Sequence, residues 1–170
     1  MGSPWREEPV NSNALDALRT QVSTLLDWQD AHAGYEKVVT GIPAADRGRA
    51  PAGLPYSPWQ ILEHLRIAQV DILDFCRNPD YQNRDWPAEY WPASPAPSRP
   101  DAWDESVRRF TEDRKALQAL AVDPAIDLFA KIPHGSGQTY LRELLLIADH
   151  TSHHLGELIV IRRLQGNWNA

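Results

Sequence analysis

Asp149-His150-Thr151-Ser152-His153-His154-Leu155-Gly156-Glu157 holds half of the chain's six histidines and lies within a proline-free run from Thr139 to Gln165. In that run Leu141, Leu144, Leu145, Ala148, Leu155, Leu158, Ile159 and Leu164 recur at three- and four-residue steps, the signature of an amphipathic helix. Side chains four residues apart lie one above the other on a helix, so His150 and His154 face the same way. Two imidazoles so placed can grip one divalent metal ion. His153 stands about 100° around the axis from His154 and is poorly placed to join both.

A pair of imidazoles is not a complete site, because a metal needs a third protein ligand and open positions for water or substrate. His64, in Trp59-Gln60-Ile61-Leu62-Glu63-His64-Leu65, is the best candidate. It converges with His150 and His154 only if its helix packs beside theirs. Water on such an ion has a lowered pKa and becomes a nucleophile, whereas a thiol on it is held as the attacking thiolate. The residues do not choose between the two. Glu63 and Asp149 adjoin ligands in sequence and point about 100° away from them, which makes them structural or surface groups. His134, in a glycine-rich loop before the last helix, is placed at the pocket mouth with a substrate role. Tyr56 and Trp59 read as packing residues.

The remaining punctuation predicts four helices. Residues 1–11 are polar and proline-containing and read as a loose arm. Ser12 or Asn13 can cap a first helix over about 14–40, stopped by Gly41 and Pro43. Ser57-Pro58-Trp59-Gln60 combines an N-cap, an N1 proline and the glutamine of a capping box, opening a helix over 58–77. Residues 78–100 carry six prolines and no helical period, yet also Tyr81, Trp86, Tyr90 and Trp91. So many aromatics argue against a disordered linker. An ordered crossover is expected, long enough to make the second and third helices parallel. Asp101 is the expected N-cap of a helix over 102–121. Lys131, Ile132 and the following glycines form a short extended piece or hairpin-like turn. The last helix spans 139–165 and ends at Gly166. Together these make one all-α domain over residues 1–170.

Bulk properties exclude several classes. A net charge of −6 without a basic cluster argues against nucleic acid as partner. Arg108-Arg109 and Arg162-Arg163 read as solvated helix faces. The lone Cys76 permits no internal disulfide, reads as a buried small hydrophobe, and fits a cytoplasmic setting. The N-terminus lacks a secretory pattern, and no apolar stretch approaches the roughly 20 residues of a membrane span.

Pro-Trp-Gln-Ile-Leu-Glu-His64-Leu, a long gap, then Leu-Arg-Glu-Leu-Leu-Leu-Ile-Ala-Asp-His150-Thr-Ser-His-His154-Leu-Gly-Glu-Leu resembles the DinB-like (DinB/YfiT) superfamily over residues 14–168. The resemblance implies an up-down-down-up four-helix bundle with a long Pro-rich crossover between helices two and three. It implies a divalent metal held by His64, His150 and His154, nickel or zinc first, iron or manganese next. It also implies a homodimer. His153 matches a histidine that does not generally ligate. Glu157 stands where the family often has glutamine, beside His154, with a role in orienting it or none. Implied activities are transfer of small-molecule thiols of the glutathione or bacillithiol kind, thiol-dependent isomerisation, or metal-dependent hydrolysis. A non-catalytic bundle that binds metal for stability or sensing is the alternative.

Overall fold

The computed structural model describes residues 12–168; the arm expected at 1–11 lies outside the described residues. These residues form helices α1 (Ser12–Leu25), α2 (Tyr35–Val39), α3 (Pro58–Arg77), α4 (Ala102–Val122) and α5 (Tyr140–Leu164), with a 3-10 turn at Ala88–Tyr90. There is no strand among them, only an isolated antiparallel bridge between Lys131 and Thr139. The Ile132 amide donates to the Gln138 carbonyl at 2.8 Å, which makes this segment the hairpin-like turn expected there.

α3 begins as its sequence dictates. Ser57 Oγ accepts from the Gln60 amide at 3.2 Å, and Gln60 Oε1 accepts from the Ser57 amide at 3.0 Å. The two bonds satisfy donors that a helix start otherwise leaves unpaired. α5 is capped by Thr139 Oγ1, which accepts from Arg142 at 3.2 Å, and is followed by Gly166 at φ +74°. That left-handed turn favours glycine. The cap expected from Asp101 does not form: its backbone is already helical, its carboxylate makes no cap bond, and it pairs instead with Arg99.

The first helix is not continuous over 14–40. α1 ends at Leu25 and α2 starts at Tyr35, with Gly34 extended before it. The cause is a slip in apolar period. At about 100° per residue, a straight helix that buried Val22 and Leu26 would turn Tyr35, Val38 and Val39 to the opposite side. All five are buried, so the chain must break and re-aim between them. The predicted stop at Thr40–Gly41 holds, as the end of α2.

α3 packs against α4 and α5, and α1 against α4. Gln69 Nε2 donates to the Phe110 carbonyl at 2.7 Å, Arg77 to Ala116 at 2.9 Å, and Ser106 bonds Glu63. Gln118 Nε2 reaches Ser23 at 3.1 Å, Arg19 reaches Ala121 at 3.1 Å, and Arg114 pairs with Asp27 at 2.8 Å. One apolar cluster gathers Tyr35, Leu62, Phe110 and Leu158, another Leu117, Leu128, Leu144 and Ile147. Leu145 and Leu164, counted in the apolar stripe of α5, are 43% and 60% exposed. Arg162, read as a solvated residue, is buried and donates to the carbonyls of Lys37 at 3.0 Å and Val38 at 2.7 Å, tying α2 to α5. No helix of the described residues is long and apolar enough to cross a membrane.

Candidate metal centre

The packing of α3 on α5 brings His64, His150 and His154 together. Their ring centroids form a nearly regular triangle: 4.8 Å between His64 and His150, 4.6 Å between His64 and His154, and 4.5 Å between His150 and His154. One nitrogen of each lies within 4.8 Å of the others. His64 Nε2 and His150 Nε2 are 3.0 Å apart. Two imidazole nitrogens on one zinc-like ion, each about 2.0–2.1 Å from it, stand roughly 2.9–3.4 Å apart. The observed spacing lies in that range.

The far nitrogens of two of the rings are held from behind. His64 Nδ1 donates to the Tyr90 carbonyl at 2.8 Å, which fixes the tautomer and leaves Nε2 with a free lone pair. His154 Nδ1 lies 2.5 Å from Glu157 Oε2, which turns its Nε2 edge the other way. Backing of this kind orients a metal-binding imidazole and raises its basicity. His150 Nδ1 is buried and has no hydrogen-bond partner among the described residues. With His64 Nε2 obliged to accept, the proton between the two Nε2 atoms belongs to His150; to ligate through Nε2 as a neutral ring, His150 would carry that proton on Nδ1 instead.

Burial favours the neutral form of all three rings. It pushes His150 down to about 3, helped by the neighbouring imidazoles. It lowers His64 against the opposing pull of the Tyr90 carbonyl, and His154 against Glu157. Neutral imidazole is the ligating form. The donor set, its spacing and its protonation therefore fit a divalent ion. His153, His154 and Glu157 also lie close together, but His153 is exposed and Glu157 is already engaged with His154 Nδ1.

The Pro-rich connection between α3 and α4 walls the cluster. Trp91 stacks on His64 with centroids 4.0 Å apart and planes 1° from parallel, and Tyr56 stacks on the other face of Trp91 at 3.9 Å. Trp91 and the Tyr90 carbonyl are the partners that sequence reasoning missed; the dense aromatics of 78–100 announced packing but not what they pack on. Trp59 is buried against Trp103, as a packing residue should be. Glu63 is occupied by Arg66 at 2.9 Å, and Asp149 is exposed. Cys76 is buried, and burial pushes its thiol up to about 12, so it supplies no thiolate.

His134 is not at this site. Its Nε2 meets the Phe75 carbonyl at 2.8 Å, eleven residues down α3 from His64, about 16 Å along the helix. A cavity of about 500 Å³ between α1, α4 and α5 is likewise separate, and none of the three histidines lines it.

In class, this is a helical bundle in which three imidazoles, His64 and His154 buried and His150 half-buried, converge from two neighbouring helices and could hold a metal ion. The chain belongs to the DinB superfamily, whose sequence model matches residues 27–158. That span includes all three histidines. No curated protein and no solved structure matches the chain.

Proposed function

We propose that His64, His150 and His154 ligate one divalent ion through their Nε2 atoms, and that this centre acts on a small molecule, most plainly in the transfer of a thiol. The convergence of three neutral imidazoles, two backed at Nδ1, carries the reading. Three protein ligands leave positions for an exogenous group. When bound, the ion would supply Lewis acidity, keeping a thiol as thiolate. The chain's own part is to orient the rings, through Tyr90 and Glu157, and to keep water from the His64 face with Trp91.

Hydrolysis at the same centre and a purely structural or sensing metal are the competing readings. Nickel or zinc suits three imidazoles best, and iron or manganese follow. We further read the bundle as up-down-down-up. The Glu63–Ser106, Gln69–Phe110 and Arg77–Ala116 pairs advance together along α3 and α4, while Arg19–Ala121 and Ser23–Gln118, followed by Asp27–Arg114 just past the end of α1, run oppositely along α1 and α4. A cytoplasmic homodimer completes the proposal; the exposed Leu145, Leu146, Val160 and Leu164 of α5 supply apolar surface for it.

Elemental analysis of the purified chain beside His150→Ala tests the centre. About one divalent ion per chain in the parent, with far less in the variant, supports it. No metal in either, even after incubation with nickel or zinc, removes it. A thiol-transfer screen whose turnover vanishes on chelation and returns with one metal then separates enzyme from structural site. A large loss of melting temperature on chelation with no turnover favours the structural role.

A further inference from the structure

A second feature lies against the same cluster. Between α3 and α5 is a cavity of about 260 Å³, walled by Ile72, Leu146 and Ile147, by Trp86 and Tyr90 of the Pro-rich connection, and by His150 itself. One imidazole is thus shared by the donor set and the cavity. A molecule held at the cluster has this space beside it.

The chemistry of the wall is one-sided. Among the described residues its one charged side chain, Asp71, is fully engaged. Tyr90 Oη donates to Asp71 Oδ2 at 2.6 Å, Tyr81 Oη donates to Oδ1 at 3.1 Å, and Arg84 Nε lies 3.2 Å from Oδ1. Burial and the carboxylate both raise the Tyr90 phenol, so it stays protonated and keeps donating. A cationic group would find no free carboxylate here, and an anionic group would meet that of Asp71. A buried charge without a partner is strongly disfavoured. What remains is aliphatic and aromatic surface. Trp86 is 68% exposed and meets Tyr90 at 5.1 Å and 62°, so most of the indole is left for something else to cover. As to size, a dry apolar cavity of about 150 Å³ already accommodates benzene.

We propose that this cavity seats an uncharged aromatic or branched-alkyl group of the small molecule that meets the metal, with Trp86 and Leu146 setting the preference. This rests on the metal-centre reading above. It narrows the substrate class to molecules that carry such a group beside their metal-binding atom. The cavity on the other flank, lined by Tyr56, His153 and Glu157, adjoins the Nδ1 side of His154 and so does not serve the same atom.

The test uses nickel- or cobalt-loaded full chain and two thiols, phenylmethanethiol and 2-mercaptoethanol, titrated by their thiolate-to-metal absorption. Phenylmethanethiol is expected to bind roughly tenfold tighter or more, the value of burying a side-chain-sized apolar group. The preference should fall away in Leu146→Trp, which fills the cavity from its rim, and in Trp86→Ala, which removes its roof. Both positions are partly exposed, so neither change threatens the core. Equal affinities for the two thiols, or a preference unchanged in both variants, overturn the proposal while leaving the metal centre intact. If the chain takes up no metal, the metal-centre reading falls first. The cavity is then judged alone, by the fluorine linewidth of fluorobenzene on the metal-free chain. Broadening relieved by Leu146→Trp supports an apolar seat, and its absence overturns it.

Discussion

The two ends of α3 make the same hydrogen bond to different effect. Near its start, His64 places Nδ1 2.8 Å from the Tyr90 carbonyl; near its end, Phe75 offers its carbonyl to His134 Nε2, also at 2.8 Å. His64 is 2% exposed, and its second nitrogen faces His150 Nε2 at 3.0 Å. His134 is exposed, and its ring lies edge-on to Phe75, centroids 5.3 Å apart. A carbonyl bond fixes an imidazole in either place. Only at the His64 end do two further imidazoles, brought by another helix, share the space the free nitrogen faces. Convergence distinguishes a ligand from a tie, and the sharpest experiments set one end of α3 against the other.

The largest effect belongs to the cluster. His64→Ala and His154→Ala should each abolish stoichiometric metal uptake by elemental analysis, because removing one of three imidazoles leaves a pair that cannot complete a site. His153→Ala, one residue away, should retain it. Loss of metal in His153→Ala with retention in His154→Ala would move the centre to the exposed side of α5.

Glu157 should matter by degree. It accepts from His154 Nδ1 at 2.5 Å, and loss of such a backing group costs roughly 10–100-fold in metal affinity. Competition of Glu157→Ala against a chelator of known affinity measures the difference. An unchanged affinity would reduce Glu157 to a helix-surface residue.

The protonation of the cluster gives a third, graded effect in the metal-free chain. Burial holds His150 at about 3 against its ordinary 6.5, and lowers His64 and His154 as well. Below about pH 6.5 the unfolded chain therefore binds protons that the folded chain refuses. Stability rises with pH wherever the unfolded state binds more protons, so it is highest above pH 6.5 and falls as the pH drops toward 3. Melting temperatures between pH 7 and 5 should decline in the metal-free parent and decline less in His150→Phe. Equal slopes would show that the cluster does not titrate as its burial dictates.

Legibility in the sequence follows how local the cause is. The start of α3 was readable because Ser57, Pro58 and Gln60 act within four residues. His150 and His154 were readable as a pair because one helix sets their spacing, whereas His64, on another helix, could be named only as a candidate conditional on the two helices packing side by side, which the family pattern then matched. The break between α1 and α2 was also available, since Tyr35, Val38 and Val39 fall opposite Val22 on a continuous helix; counting apolar residues without tracking their angle hides it. Trp91 and the Tyr90 carbonyl were out of reach because residues 78–101 have no period from which to project a partner. The burial of Arg162 has the same origin: its acceptors, Lys37 and Val38, are more than 120 residues away.

His134→Ala carries the smallest effect and closes the comparison from the other end. The variant removes one exposed side-chain bond to Phe75 and a ring contact. A hydrogen bond of this kind contributes about 0.5–1.5 kcal/mol, and solvent access to both partners puts His134 at the low end. Denaturant unfolding should show a loss of that order, while metal content stays at the parental level. Metal loss in His134→Ala at preserved stability would mean that the two ends of α3 are coupled and that the loop before α5 helps place His150. If metal and stability both stay parental, the Phe75 carbonyl is merely rehydrated, and the identical bond at His64 owes its consequence wholly to the nitrogen on the far side of the ring.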